Sequence, residues 1–351
     1  MILTLTHSSR TTNLERCSVQ FLTRRFDDPQ RLAALPPVER LRPAPVLYSG
    51  AVSFLRIEGT EQEPTFTPAG AIRHKDKIQH AVFFPQTGDR LLVGFEHRLE
   101  IWRLIWEADT VTGYQRTFRL EHPHLVGLHT VDLLPASAET GPIGELRALL
   151  SVSSADALMI ANLTTGRIER TLRLPEDLYG RGYPLTPGHD LRHRYIPDHY
   201  QTTHVNSASL VPGTAGRKAV YSTLIQGAIG VCDLETGRCR ELTRGFVGCH
   251  GARGNLAGTV FFTDSATGTL VFLDGEGRIT FRFAVPCRWL HDALPLTDRL
   301  WAFALADLNE LRIYDLDADR LVYQRRFPLK AKLEETAGEW LGDSVQALGL
   351  A

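Results

Sequence analysis

The sequence is short of most features that would assign it quickly. Charge of one sign is missing: 39 Lys+Arg stand against 40 Asp+Glu in 351 residues, with 13 His, a formal net charge of -1. So even a balance gives no broad field for nucleic acid or an anionic membrane surface, and neither is expected as a partner. No run approaches 18 uninterrupted apolar residues, so no transmembrane helix is expected. Met1 to His7 lacks a basic region followed by an apolar core, so no signal peptide is expected either. Cysteines number only five, an odd count, and no C-x-x-C occurs. Cys232 and Cys239 are spaced too loosely for a standard zinc knuckle. The reading is free thiols in a reducing, cytoplasmic setting. Also absent are a G-x-S-x-G elbow, a Walker A loop, a dinucleotide fingerprint and H-E-x-x-H. With 43% hydrophobic and 23% charged residues the composition is that of an ordered globular chain.

Helical periodicity is scarce as well. What recurs is a short apolar run, a turn and a second short run. Leu91–Gly94 precedes Leu99–Trp102, Ala148–Val152 precedes Ala157–Ala161, and Ala219–Ser222 precedes Gly230–Asp233. Thr259–Thr263 precedes Thr269–Leu273, and Leu300–Ala304 precedes Glu310–Tyr314. Runs this short, rich in β-branched and aromatic residues and bounded by Gly, Asp and Asn, read as strands. Polar turns follow at 162–167, 233–238, 274–278 and 315–320, where Gly, Asn or Asp suits the positive-φ positions of tight hairpins.

The units repeat roughly every 40–50 residues, the size of a four-stranded propeller blade. The pattern resembles WD40-like and YVTN-like propellers over nearly the whole chain, without a regular Gly-His…Trp-Asp signature. The expected fold is an all-β, six-bladed β-propeller closed by strands from both termini. The last blade would take one strand near Asp343 and three from Pro45–Ser49, Val52–Ile57 and Thr65–Thr67. Residues 1–44 are expected to be an N-terminal extension, with an added outer strand and a short helix around Pro29–Leu35. Residues 45–351 would be the propeller, with a lid-like insertion at 174–202.

The first strands of the units align on one residue type. His80, His129, His204, His250 and His291 fall at one repeat position, and Asp343 takes the sixth. With 13 histidines in the chain, so many matches at one position exceed chance. First strands of a propeller line its axis, so a ring of imidazoles is expected there. Such a ring repels when protonated and buries unsatisfied nitrogens when neutral. A bound metal relieves both problems, and water in the channel is the competing solution. An all-imidazole set suits Fe, Zn, Cu or Ni, and Fe(II) is favoured because five imidazoles exceed what tetrahedral zinc needs. The arrangement is similar to that of carotenoid cleavage oxygenases, where four propeller histidines hold iron, and of peptidylglycine amidating lyase, where histidine binds zinc. Those resemblances imply a metal on the five histidines. Asp343, Asn206 and Asp292 are the candidates for acid/base or supporting roles beside it.

The insertion, with its tyrosines, arginines and histidines, suits a lid over an aromatic or anionic ligand. Within it His189 and His193 would share a face of a helical turn. The leading expectation is therefore a metal-dependent enzyme oxidising or oxygenating a small organic substrate. Zinc-dependent lyase or hydrolase chemistry on the same site is one alternative. The other is a non-catalytic WD40-like interaction scaffold with a protein partner, since one fold hosts many functions.

Overall fold

A computed structural model describes residues 1–8, 35–41, 50–85, 87–135, 145–192, 194, 196, 200–255, 257–327 and 344–350. The strands, in chain order, are β1 (Ile2–Ser8), β2 (Gly50–Gly59), β3 (Pro64–His74), β4 (Ile78–Phe83), β5 (Arg90–Phe95), β6 (Arg98–Glu107), β7 (Thr110–Glu121), β8 (Leu128–Leu134), β9 (Arg147–Val152), β10 (Ala157–Asn162), β11 (Arg167–Arg173) and β12 (Val205–Leu210). They continue as β13 (Lys218–Thr223), β14 (Ala228–Asp233), β15 (Cys239–Arg244), β16 (Cys249–Gly254), β17 (Val260–Asp264), β18 (Thr269–Leu273), β19 (Ile279–Ala284), β20 (Leu290–Pro295), β21 (Leu300–Leu305), β22 (Glu310–Asp315), β23 (Arg320–Arg326) and β24 (Ser344–Leu350). The longest described α-helix, α1, is a single turn at Glu176–Tyr179. No described helix is long and apolar enough to cross a membrane.

The architecture is an all-β, propeller-like arrangement of four-stranded sheets. Strands β8 to β11, β12 to β15, β16 to β19 and β20 to β23 each form one antiparallel sheet in sequence order. The remaining strands form an eight-stranded sheet in the order β24-β1-β2-β3-β7-β6-β5-β4. The strand pairing between its halves is a single parallel bridge, Gly70 with Val111, so it consists of two four-strand groups. First strands lie side by side: β4 against β8, β8 against β12, β12 against β16, β16 against β20, β20 against β24, and β24 against β4.

Alternation along each strand builds a core on both faces of every group. Leu150 packs toward Leu92, Leu99 and Leu128, while its neighbour Leu149 packs toward Val205 and Tyr221. Val220 and Ile229 meet Phe262 and Val271; Phe261 and Leu270 meet Trp301 and Phe303. Leu300 and Ile313 meet Leu3, Leu5 and Leu348, and Val52 and Phe54 meet Leu91 and Trp102. Each large side chain buried this way contributes roughly 1.5–3 kcal/mol.

The N-terminal strand departs from the sequence reading. β1 lies between β24 and β2, pairing Leu5 with Ser53 on one side and with Leu348 on the other. It is therefore an interior strand, not an added outer one. It fills the sheet position expected of Pro45–Ser49, a segment outside the described residues. The helix expected around Pro29–Leu35 also lies outside them, apart from Leu35. The reason is long-range: Leu3 and Leu5 are fully buried against Leu300 and Ala302, residues that no local pattern connects to them.

Candidate functional site

The candidate site is built from the beginnings of the first strands. Each of these strands opens with a cross-strand pair: Ile78↔Phe95, Leu128↔Val152, Val205↔Thr223, Cys249↔Asp264 and Leu290↔Leu305. Just beyond that pair the register shifts in β4, β8, β12 and β20, and in β16 it shifts after one further pair, between His250 and Arg253. Such a bulge bends the strand and re-aims its side chains. One residue past the opening pairs stand Gln79, His129, Asn206, His250 and His291. His129, His250 and His291 thus share a structural position, while His80 lies one residue further on. His204 precedes β12 altogether, in a left-handed conformation at φ 47°. Aligning on residue type overrode a shift that only the bulges reveal, and a one-residue slip sends a side chain to the other face.

The histidines meet in pairs. The rings of His129 and His204 are 4.9 Å apart and those of His250 and His291 are 4.2 Å apart. Burial, with the charge of His204 adding to it, pushes His129 well below the ordinary histidine pKa. His250 is buried, and its Nδ1 bonds the Gly248 carbonyl at 2.7 Å and the Ser265 hydroxyl at 2.8 Å. Among the described residues there is no group of three or more His, Cys, Asp or Glu placed to hold a metal ion. The five histidines expected to form one ring are therefore not assembled as one ligand set. Asp343, expected at the sixth position, lies outside the described residues.

One residue further along, the polar side chains are tied across the boundaries between sheets. His80 Nδ1 accepts from the Val131 N–H at 3.4 Å. Thr130 Oγ1 accepts from the Ala208 N–H at 2.9 Å, and Ser207 Oγ from the Ala252 N–H at 2.8 Å. Asp292 Oδ2 accepts from the Leu348 N–H at 2.9 Å. A first strand has its sheet on one side only, so its other edge carries backbone donors that need partners. These side chains supply them.

On β16 the equivalent residue is Gly251, with φ 57°, where a Cβ would stand 2.3 Å from Asp292 Oδ1. The space goes to Arg253. Its guanidinium meets both Asp292 oxygens, at 2.5 and 3.0 Å, and the Ala293 carbonyl at 2.9 Å. Such a fork-on-fork pair is the strong form of an ion pair. Burial, with the positive charge of Arg253 beside it, holds His80 down to about 4, so His80 is a neutral acceptor near neutral pH.

The two other candidate chemical residues have structural partners too. Asn206 donates through Nδ2 to the Cys249 carbonyl at 3.0 Å, reaching the next first strand. Asp292 holds Arg253 and the backbone N–H groups of Leu348 and Ala293. Past this belt lies a cavity of about 220 Å³, with His80, Thr130, Asp132, Ser207 and Arg253 among its lining. Asp132 accepts from the Leu210 N–H across the boundary at 2.9 Å, and burial raises its pKa. Thr130, Ser207, Asp132 and Arg253 escaped the sequence reading. Each stands one to three residues after a singled-out histidine or asparagine, and that offset was their only local signal.

The insertion is packed down at several points. Tyr183, Leu191 and Ile196 share a small core with Val38, Leu41 and Val126. The Arg194 guanidinium bonds the Leu41 carbonyl, and the Leu191 N–H bonds the Pro123 carbonyl. Asp156, left-handed at φ 48°, gathers its far end: it accepts from the backbone N–H of Thr202, Thr203 and His204 and from both threonine hydroxyls. That clasp delivers His204 to His129. His189 takes the Thr186 N–H on Nδ1, and His193 lies outside the described residues.

No family model and no curated protein matches the chain. Among solved structures the chain is similar to the WD40 domain of Toxoplasma gondii coronin, at TM-score 0.47 and 15% identity, covering 80% of this chain and 67% of that one. It is also similar to Saccharomyces cerevisiae Sqt1, at TM-score 0.48 and 11% identity, covering 85% of this chain and 80% of that one.

Proposed function

We propose that this chain is a six-bladed propeller closed by β24 and β1 to β3, and that it serves as a non-catalytic interaction scaffold for a protein partner. Support for the closure comes from the succession of first strands, in which β24 lies against both β20 and β4, and from cores on both faces of each four-strand group. The scaffold reading is carried by one observation: His80, Thr130, Ser207 and Asp292 are each spent on a backbone N–H of the next first strand. A catalytic constellation needs groups converging on a reacting atom. Here His80, Thr130, Ser207 and Asp292 diverge, each to a neighbour. A rigid ring of sheets then presents its connecting loops for binding.

The metal-dependent reading, iron-based oxidation or zinc-based lyase or hydrolase chemistry, has the approach of four imidazoles in two pairs in its favour. One experiment separates the two. Tag-free protein and its His204→Ala/His250→Ala variant are compared by elemental analysis and by cross-linking mass spectrometry in extract of the source cell. The scaffold reading expects metal well below one per chain and the same cross-linked partner for both proteins. Near-stoichiometric iron, zinc or copper, lost in the variant, overturns it.

A further inference from the structure

We propose that Cys232 and Cys239 form a reversible modification site, a cross-strand dithiol that closes to a disulfide by exchange with a small-molecule disulfide. The two residues are directly paired across β14 and β15, and their sulfurs are 2.9 Å apart as free thiols. The next pair outward, Asp233 with Arg238, carries a ladder hydrogen bond of 2.8 Å from the Asp233 N–H. Cys232 and Cys239 therefore occupy the adjacent non-bonded position, where opposing side chains stand closest and Cα separations suit a disulfide. The turn at 233–238 already holds the strands together, so closing the bond asks little of the backbone.

The chemical asymmetry needed for exchange is present. Cys232 is fully buried, while Cys239 is partly exposed on β15, the outermost strand of its sheet. Hydrogen bonds from Cys232 and from the Tyr221 hydroxyl favour the Cys239 thiolate and lower its pKa from the ordinary thiol value. The other described thiols go the opposite way: burial raises Cys249, and burial with the charge of Asp307 pushes Cys287 up to about 12. Tyr221 stays in reach because Gly230 leaves its ring room; a Cβ there would stand 2.4 Å from the hydroxyl. The same hydroxyl meets Tyr179, at the end of α1, at 2.9 Å, which links the thiols to the start of the insertion.

In the reaction the Cys239 thiolate attacks one sulfur of the small disulfide, forms a mixed disulfide and releases a thiolate. Cys232 then attacks the Cys239 sulfur and expels the second small thiol, its proton going to a released thiolate. Two protein thiols and one small disulfide become one protein disulfide and two small thiols.

The test uses the reduced full chain and oxidised glutathione. Thiols are counted under denaturing conditions and the protein is digested with trypsin without reductant. The expected result is a fall from five thiols to three, reversed by dithiothreitol, with Ala219–Arg238 joined to Cys239–Arg240. Cys232→Ser is expected to keep a glutathione adduct on Cys239, and Cys239→Ser to leave Cys232 unmodified. Retention of all five thiols, bridges that involve other cysteines, or modification of Cys232 in Cys239→Ser as fast as Cys239 reacts in the native chain overturns the proposal. The native-chain arm gives its answer whether or not the variants fold.

Discussion

The inner and outer ends of the same sheets treat polar residues in opposite ways. β21 is buried throughout, whereas β23, two strands outward, is mostly exposed or half-exposed. β10 and β11 differ likewise, the second alternating between exposed and half-buried. On the outer strands a polar side chain faces water and its identity matters little. On the first strands His80, Thr130, Ser207 and Asp292 stand in for a missing strand, bonding backbone groups of the neighbouring sheet. At these positions the polar residue is therefore a joint between sheets.

Breaking the strongest joint is expected to have the largest effect. Asp292→Ala leaves Arg253 buried without its carboxylate and the Leu348 N–H without an acceptor, a loss of about 3–5 kcal/mol. Urea denaturation measures it. The outer control is Arg278→Ala, which removes an exposed ion pair with Asp274 and is expected to leave the urea midpoint unchanged. Equal losses at the two sites would erase the comparison.

The clasp on the insertion ranks next. Asp156→Ala strips five hydrogen bonds and replaces a residue suited to positive φ, with an expected cost of about 3 kcal/mol. Asp156→Asn keeps the conformation and part of the bonding, so it is expected to recover about half of that loss. Tryptic cleavage within 174–202 is the second readout, and it is expected to speed up in Asp156→Ala.

Smaller still is a single belt residue. Ser207→Ala orphans the Ala252 N–H and removes one of the two partners of the Ser222 hydroxyl, at a cost of about 1–2 kcal/mol. The loss is expected in thermal and urea midpoints alike.

The pH dependence sharpens the same contrast. Burial holds His7 down to about 3 and His80 to about 4, and pushes His129 well below its ordinary 6.5. Between those values and 6.5 the unfolded chain binds more protons than the folded one. Stability is therefore full above about pH 6.5 and falls as the pH drops below it, by up to ~1.4 kcal/mol per pH unit for each histidine. His80→Gln is expected to flatten the slope between pH 6 and 5 by about that amount, read from urea midpoints. An unchanged slope would mean that His80 takes up its proton equally in both states.

Much of the fold was legible because strands and tight turns are local. The runs around Leu149, Val220, Phe262 and Phe303, and the Asp/Asn-Gly turns, mark their hairpins directly. The C-terminal strand and the pairing of 50–59 with 64–74 in one sheet also follow from the repeat. The place of Ile2–Ser8 did not, because its partners lie beyond residue 50 and near the C-terminus. The site was legible only in outline. Histidine enrichment pointed to the beginnings of the first strands, where His129 meets His204 and His250 meets His291. Which residues form the belt depends on bulges, and a bulge leaves no mark in composition or spacing. Arg253 in particular acts at the position of a glycine two residues away, a substitution of place that only the packing around Gly251 explains.

We propose that the polar residues of the first strands are joints rather than a metal centre. That proposal is tested most directly by the urea midpoint of metal-stripped protein with and without added Zn(II) or Fe(II), the iron arm under anaerobic conditions. A metal bound only by the folded state must raise that midpoint as its concentration passes the dissociation constant. The account expects the same midpoint with and without either ion. A rise of the midpoint on adding metal, abolished by His204→Ala/His250→Ala, would contradict it.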